Sequence, residues 1–302
     1  MRVALVNFTS GGVSGSGRHV GLLRKGLLEL GVDVKVVDSK NVWFLDFPML
    51  RAPTFTLGAS LRTFDADVVH LHNPKLIGAA LSSPSRSIIT VHGGMIEFSL
   101  KYGALGRASA RMMLALMRMV GRVTSVMKWE AERNGWAWVP NMTDLEMISK
   151  IEPANESVIL FVGRHDPVKN YPLFKRVVER LGRNYKAFGV EEVASWEKVI
   201  AYMKSAECLM ITSVWEGMPS VLLEAWASGC PVIAPRIPAF TPFHDAVILT
   251  DLRPEAYVDS YRRLDGLKDS IVSRGLELVR QFDYKSITRQ YLEIYRELVT
   301  RS

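Results

Sequence analysis

Between Glu216 and Arg236 the chain carries one charged residue, Glu224, inside a helical run that is apolar on nearly all sides: Val221, Leu222, Leu223, Ala225, Trp226 and Ala227. A helix of that composition is mostly buried, and a carboxylate buried with it is expensive unless it finds partners. An Arg or Lys can supply them, and so can the hydroxyls of a ligand. The flanking residues define the surroundings. Leu209 to Thr212 is a short apolar run suited to a buried strand, and Pro219 suits a first helical turn, where its missing N–H costs nothing. Gly229 ends the helix, Pro231 blocks its continuation, and Val232 to Ala234 starts the next strand. The second acid, Glu216, falls in the loop at the carboxyl end of a strand, which is where open parallel sheets bind ligands.

Glu216 and Glu224 stand eight positions apart, a spacing that means little alone. Here it comes with Ser213, Gly217, Pro219, Ala225, Ala227, Gly229 and the run Pro231-Val232-Ile233-Ala234. This combination resembles the retaining family 4 glycosyltransferases of GT-B fold, whose signature is E-x7-E. The resemblance implies an α/β chain of two Rossmann-like domains with parallel sheets facing an interdomain cleft. It places an acceptor domain at residues 1–141, joined by a C-terminal helix over 284–302, and a nucleotide-sugar donor domain at residues 142–283.

A length of 302 residues suits two domains of ordinary size, and 48% apolar with 23% charged residues is the composition of a globular protein. No segment has the uninterrupted apolar length needed to span a bilayer, and the apolar run after Arg2 is too short for a signal peptide, so a cytoplasmic location is expected. Cys208 and Cys230 lie in apolar contexts without metal-ligand spacing and read as core thiols. The net charge of +7 is uneven. Residues 1–140 hold 17 Lys and Arg against 9 Asp and Glu, while the remainder is close to neutral. That balance points the first half toward an anionic partner: a phosphorylated or lipid-linked acceptor, or an acidic membrane surface. A nucleic-acid partner is not expected. Arg107, Arg111, Arg118 and Arg122 fall on one helical stripe beside Met112, Met113, Leu116, Met117 and Val120, a pattern compatible with peripheral membrane contact or with ordinary packing on a sheet.

Arg2 to Phe8 reads as a strand, Ser10 to His19 as a glycine-rich turn, His19 to Leu30 as a helix stopped by Gly31, and Val32 to Val37 as a second strand. A β–turn–α–β unit of this kind can hold phosphate on backbone N–H groups. Arg18-His19 stands where an NTPase loop requires Lys-Ser/Thr. Gly11, Gly15 and Gly17 followed by Asp38 also fit an NAD(P)-dependent reductase, with Tyr171 and Lys175 at the required spacing for its catalytic pair. In the family 4 transferases the same place holds a Gly-Gly loop facing the donor diphosphate, which Gly11-Gly12 resembles. Two further strands, in Ala66 to Pro74 and Ser87 to Gly94, both end in His. His92 matches the family histidine that contacts the donor sugar; His70 and His72 read as packing or acceptor-side residues.

Trp138 to Asp144 resembles the family's V-P-N-G-V-D near the domain junction, with Met142-Thr143 replacing Gly-Val. A strand at Ser157 to Val162 precedes Gly163 to Asn170, which opens a helix with Asn170 as cap and Pro172 in its first turn. Arg164 and Lys169 match the family's diphosphate-binding cations. A strand at Lys186 to Phe188 and a helix from about Glu191 to Ala206 follow, then a strand near 246–250, helices within 254–281 and a last helix over Tyr284 to Val299. The resemblance implies a retaining, metal-independent transferase without cofactor, taking a nucleoside-diphosphate sugar as donor substrate. Glu216 and His92 would serve the reacting sugar; Gly11, Gly12, Arg164, Lys169, Gly217, Met218, Pro219, Ser220 and Glu224 would bind the donor. A non-catalytic nucleotide-sugar binding protein is the other alternative.

Overall fold

The computed structural model describes residues 1–11, 15–47, 50–80 and 83–301, without the side chains of 94–102. Gly12 therefore lies outside the described residues. The chain divides into two compact units, 1–142 with 284–302, and 143–283.

In chain order the first unit contains β1 (Arg2–Val6), α1 (Gly15–Glu29), β2 (Asp33–Val37), α2 (Arg51–Thr63), β3 (Val68–Leu71), β4 (Ser87–Val91), α3 (Gly94–Met117), β5 (Arg122–Ser125), α4 (Lys128–Asn134) and β6 (Ala137–Trp138). The second contains α5 (Leu145–Ser149), β7 (Ile159–Val162), α6 (Tyr171–Leu181), β8 (Tyr185–Phe188), α7 (Trp196–Ser205), β9 (Cys208–Met210), α8 (Ser220–Ala227), β10 (Val232–Pro235), β11 (Ile248–Thr250), α9 (Pro254–Arg262) and α10 (Leu264–Val279). The last helix, α11 (Tyr284–Thr300), returns to the first unit.

The first sheet runs β2-β1-β3-β4-β5-β6 and the second β11-β10-β9-β7-β8, with every pairing parallel. Side chains alternate across a strand, and β1 shows the consequence. Val3 and Leu5 join a core with Val20, Leu23 and Leu27 of α1 and Tyr291 and Tyr295 of α11, while Ala4 and Val6 join another with Phe55 and Ala59 of α2 and Ala110 and Met117 of α3. One face of the sheet is thus covered by α1 and α11, and the other by α2 and α3. In the second unit Phe161, Met210 and Ile233 pack on Leu173, Phe174 and Val177 of α6 and on Tyr257.

Several local details differ from the sequence expectations. α1 starts at Gly15, so His19 is an interior helical residue rather than its beginning. Asn170 precedes α6 in the left-handed region (φ 52°) and makes no side-chain cap bond; Asp166 instead caps a short 3-10 turn before it, Pro167–Lys169, its carboxylate accepting from Val168 N at 2.9 Å. That short turn must reverse before α6 can start, and an asparagine tolerates the conformation. α7 begins at Trp196, capped by Ser195, because residues 191–192 are tied back to Ala187 and Gly189 by backbone bonds. Arg122 opens β5 and pairs with Glu297, leaving Arg107 and Arg111 on α3 and Arg118 at its C-cap.

Candidate active site

In the second unit α8 connects β9 to β10. Pro219 occupies its N-cap position, and Leu222, Leu223, Ala225 and Trp226 are buried around Glu224, itself 4% exposed. The buried carboxylate accepts a hydrogen bond from Trp196 Nε1 at 3.1 Å, on the first residue of α7. The sequence reading named Arg, Lys or ligand hydroxyls as partners and did not name this indole. An indole N–H is a donor only, so it satisfies the carboxylate without adding charge.

Glu216 precedes α8 in the loop after β9 and is 9% exposed. One carboxylate oxygen, Oε1, accepts from Lys169 Nζ at 2.6 Å and from Ser213 Oγ at 2.6 Å. The structure therefore joins two residues that the sequence placed in separate roles. Lys169 is positioned by its backbone: its carbonyl accepts from Thr212 Oγ1 at 3.0 Å, and Val214 N donates to Val168 O at 2.8 Å. These bonds stitch the loops after β7 and β9 together at the carboxyl ends of neighbouring strands. Gly189 completes this edge. Its φ of +87° and a Gly163 carbonyl 2.5 Å from where a Cβ would stand leave room for glycine alone. Arg164 is exposed, with its guanidinium 3.8 Å from Asp166. Of the remaining second-unit candidates, Met218 is buried, and Gly217, Pro219 and Ser220 lead into the first turn of α8. There the N–H groups of Ser220 and Val221 precede the first bond of the helix, Leu222 N to Pro219 O at 3.1 Å, and a helix N-terminus of this kind can bind an anion.

In the first unit β3 and β4 end in a histidine cluster. His70 is bridged by Tyr295 OH (2.6 Å from Nδ1) and Thr90 Oγ1 (2.7 Å from Nε2). His72 Nδ1 faces His92 Nε2 at 3.3 Å, and His19 Nδ1 lies 3.0 Å from Asn141 Oδ1. His19 and Asn141, from α1 and the segment after β6, are members that sequence reasoning did not group with the others. Burial holds all four imidazoles neutral. His19, His70 and His72 lie well below their ordinary pKa, and His92 is pushed down to about 4. His19, His72 and His92 each offer a ring nitrogen within 4.8 Å of the others, a geometry that three metal ligands can have.

Gly11 (φ 70°) donates its N–H to Gly17 O of α1 at 2.7 Å. The residues of the reductase alternative are otherwise engaged. Asp38 accepts from Lys40 N at 2.9 Å and from Ser10 Oγ, which holds its carboxylate in the turn after β2. Tyr171 donates to Glu191, and burial followed by that hydrogen bond raises its phenol pKa, the opposite of what a catalytic tyrosine needs.

Residues 148–264 match the model of the family Glycosyl transferases group 1. A phosphatidyl-myo-inositol mannosyltransferase from Mycobacterium leprae is 23% identical over an alignment covering 78% of this chain and 75% of the relative. A D-inositol 3-phosphate glycosyltransferase from Nocardioides sp. is 27% identical across 34% of this chain and 24% of its own length. Among solved structures, sucrose-phosphate synthase from Thermosynechococcus elongatus superposes with a TM-score of 0.81 at 15% identity, covering 100% of both chains. HepE from Anabaena, in complex with UDP-glucose, superposes with a TM-score of 0.73 at 13% identity, covering 98% of this chain and 100% of that one. The fold is the GT-B fold.

Proposed function

We propose that this chain, a glycosyltransferase of GT-B fold with a group 1 family match in its second unit, transfers a sugar from a nucleoside-diphosphate donor with retention and without a metal ion. The observation that carries the reading is the pair of buried acids on one loop–helix segment, Glu216 held by Lys169 and Ser213, and Glu224 held by Trp196. Breaking the bond between sugar and diphosphate leaves charge on the departing phosphate, and stabilising that charge is the main catalytic need. Lys169, Arg164 and the N-terminal turn of α8 are the positive groups assigned to it. A diphosphate arriving at Lys169 competes with Glu216 for the ammonium, freeing the carboxylate toward the sugar. Glu224 is assigned to the ribose hydroxyls. The roles given to Gly11, Gly12 and His92 rest on the family resemblance.

The donor class is supported by the UDP-glucose complex of HepE and by the mannosyltransferase relative. A thermal-shift panel of UDP, GDP, ADP, their sugar conjugates and NADH tests it, since a ligand at a hundred times its dissociation constant adds about 2.7 kcal/mol of stability. Stabilisation by one nucleoside diphosphate and its sugar is the expected result; a response to NADH alone would overturn the reading. Glu216→Gln is expected to keep nucleotide binding and to slow transfer by ~100-fold or more. Donor binding without transfer or slow donor hydrolysis in the wild type would instead identify a binding protein. Chelation with EDTA is expected to leave the rate unchanged. A rate lost to EDTA and restored by Zn2+ would assign His19, His72 and His92 to a metal and refute metal independence.

A further inference from the structure

Helix α2 presents two apolar faces. Phe55 and Ala59 are buried in the core beneath it, while on the opposite side Leu57 (68%), Leu61 (71%) and, just past its end, Phe64 (73%) are exposed. With Leu50 before the helix, these residues fall within about 60° of arc at 3.6 residues per turn. The segment before α2 extends the same surface. Phe44 anchors it, with its ring against Phe8 and Phe55, and Val42 and the Trp43 carbonyl approach Gly58 so closely that a Cβ there would stand 2.7 Å and 3.0 Å from them. Trp43 (77% exposed) and Phe47 (66% exposed) are turned away from that anchor. Contiguous exposed apolar patches beyond roughly a few hundred Å² mark interaction sites rather than ordinary surface.

α3 covers the same side of the sheet, so its outer face looks the same way as that of α2. From Leu105 onward its outer face carries Leu105 and Met112 along one edge and Arg107 and Arg111 along the other, with exposed Ala104, Ala108 and Ala115 between them, and exposed Arg118 and Met119 follow its last turn. The burial expected for the methionines of this helix holds for Met117 but not for Met112. Arg51, paired with Asp46 at 3.3 Å, and Arg62 lie together to one side of the α2 stripe, and neither 50–64 nor 103–121 contains an Asp or Glu. Apolar side chains edged by arginines, with a tryptophan at the border, complement the acyl boundary and headgroups of an anionic bilayer. No described helix is long and apolar enough to cross a membrane, so this face would lie on the surface.

We propose that the outer face of α2 and α3 docks the protein on an anionic lipid surface. Leu57, Leu61, Phe64 and Trp43 enter the interface, and Arg62, Arg107, Arg111 and Arg118 meet lipid phosphates. The proposal goes beyond the transfer reaction, and its test uses neither donor nor turnover, so the two can fail separately. The whole chain is floated with vesicles of phosphatidylcholine alone and of phosphatidylcholine mixed with phosphatidylglycerol. The expected result is binding to the mixed vesicles that weakens with added salt, and little binding to phosphatidylcholine alone. The triple variant Leu57→Ser, Leu61→Ser, Phe64→Ser should partition ~100-fold more weakly, and Arg107→Ala, Arg111→Ala, Arg118→Ala should lose the preference for the anionic lipid by a similar factor. All six positions are exposed, so an unchanged Tm separates lost docking from lost folding. Absence of binding to the mixed vesicles, or binding undiminished in both variants, overturns the proposal. So does a wild-type dimer that the apolar triple variant converts to monomer, because the face would then be covered by a second copy.

Discussion

Glu224 shows how burial turns one carboxylate into a testable element. Its Oε1 accepts from Trp196 Nε1 on a helix whose neighbouring residues Leu222, Leu223, Ala225 and Trp226 are buried, and a hydrogen bond to a charged group contributes about 1.5–3 kcal/mol. Trp196→Phe is expected to destabilise the protein by about 1–3 kcal/mol and to weaken nucleoside-diphosphate binding, both read from thermal denaturation with and without ligand. Equal Tm and equal ligand shift in wild type and variant would remove the indole from the site. The histidines supply a pH dependence. Each imidazole kept neutral by burial takes up a proton on unfolding once the pH falls below its ordinary value of 6.5, so the unfolded state binds more protons there. Stability is complete above 6.5 and falls as the pH drops toward about 4, where His92 titrates in the folded protein. Tm measured across that window should fall steeply. His70→Gln, which cannot titrate but offers an amide to Tyr295 and Thr90, should flatten the slope while costing stability at neutral pH.

Elements reveal themselves unevenly because a helix is legible from its pattern only when one face is apolar. α6 and α11 have a single apolar stripe, and α8 carries its own punctuation of Pro219, Gly229 and Pro231, so these were visible in the chain. α2 was not anticipated, since Phe55 and Ala59 on one side and Leu57 and Leu61 on the other cancel the periodic signal. The spacing Leu50, Leu57, Leu61, Phe64 was the available clue. Among site residues, the segment carrying Glu216 and Glu224 was legible from its local pattern. The Lys169–Glu216 contact and the grouping of His19 and Asn141 with His72 and His92 depend on strand order, which local pattern does not encode. Helix packing gives a further expectation. At Gly275 of α10 an added Cβ would stand 2.5 Å from Trp226 Cδ1, and that indole is fixed by burial and by its bond to Ala246 O at 3.1 Å. Alanine gains about 1 kcal/mol in helix propensity, but overpacking costs roughly 1–3 kcal/mol. Because the ring has nowhere to move, Gly275→Ala should lower Tm; an unchanged or raised Tm would show that α8 and α10 can separate to admit a methyl.

At the scale of the whole chain, the first unit is closed by a helix encoded at the far end of the sequence. α11 buries Tyr284, Ile287, Tyr291, Tyr295 and Leu298 against α1, β1, β3 and β4, and Tyr284 OH donates to Glu29 at 2.9 Å. At about 1.5–3 kcal/mol per buried side chain, losing these residues removes on the order of 10 kcal/mol, comparable with the whole stability of an ordinary domain, about 5–15 kcal/mol. A chain ending at Asp283 should therefore lose the first unit's cooperative unfolding transition. The second unit has its own sheet and core and contains both Glu216 and Glu224. Residues 143–283 expressed alone should fold and bind the same nucleoside diphosphate as the full chain, without transferring sugar. Calorimetry of the two truncated proteins checks both halves of the expectation. A folded 143–283 that fails to bind the nucleotide would mean that the first unit supplies essential donor contacts, and Gly11 and His92 would be the residues to substitute next.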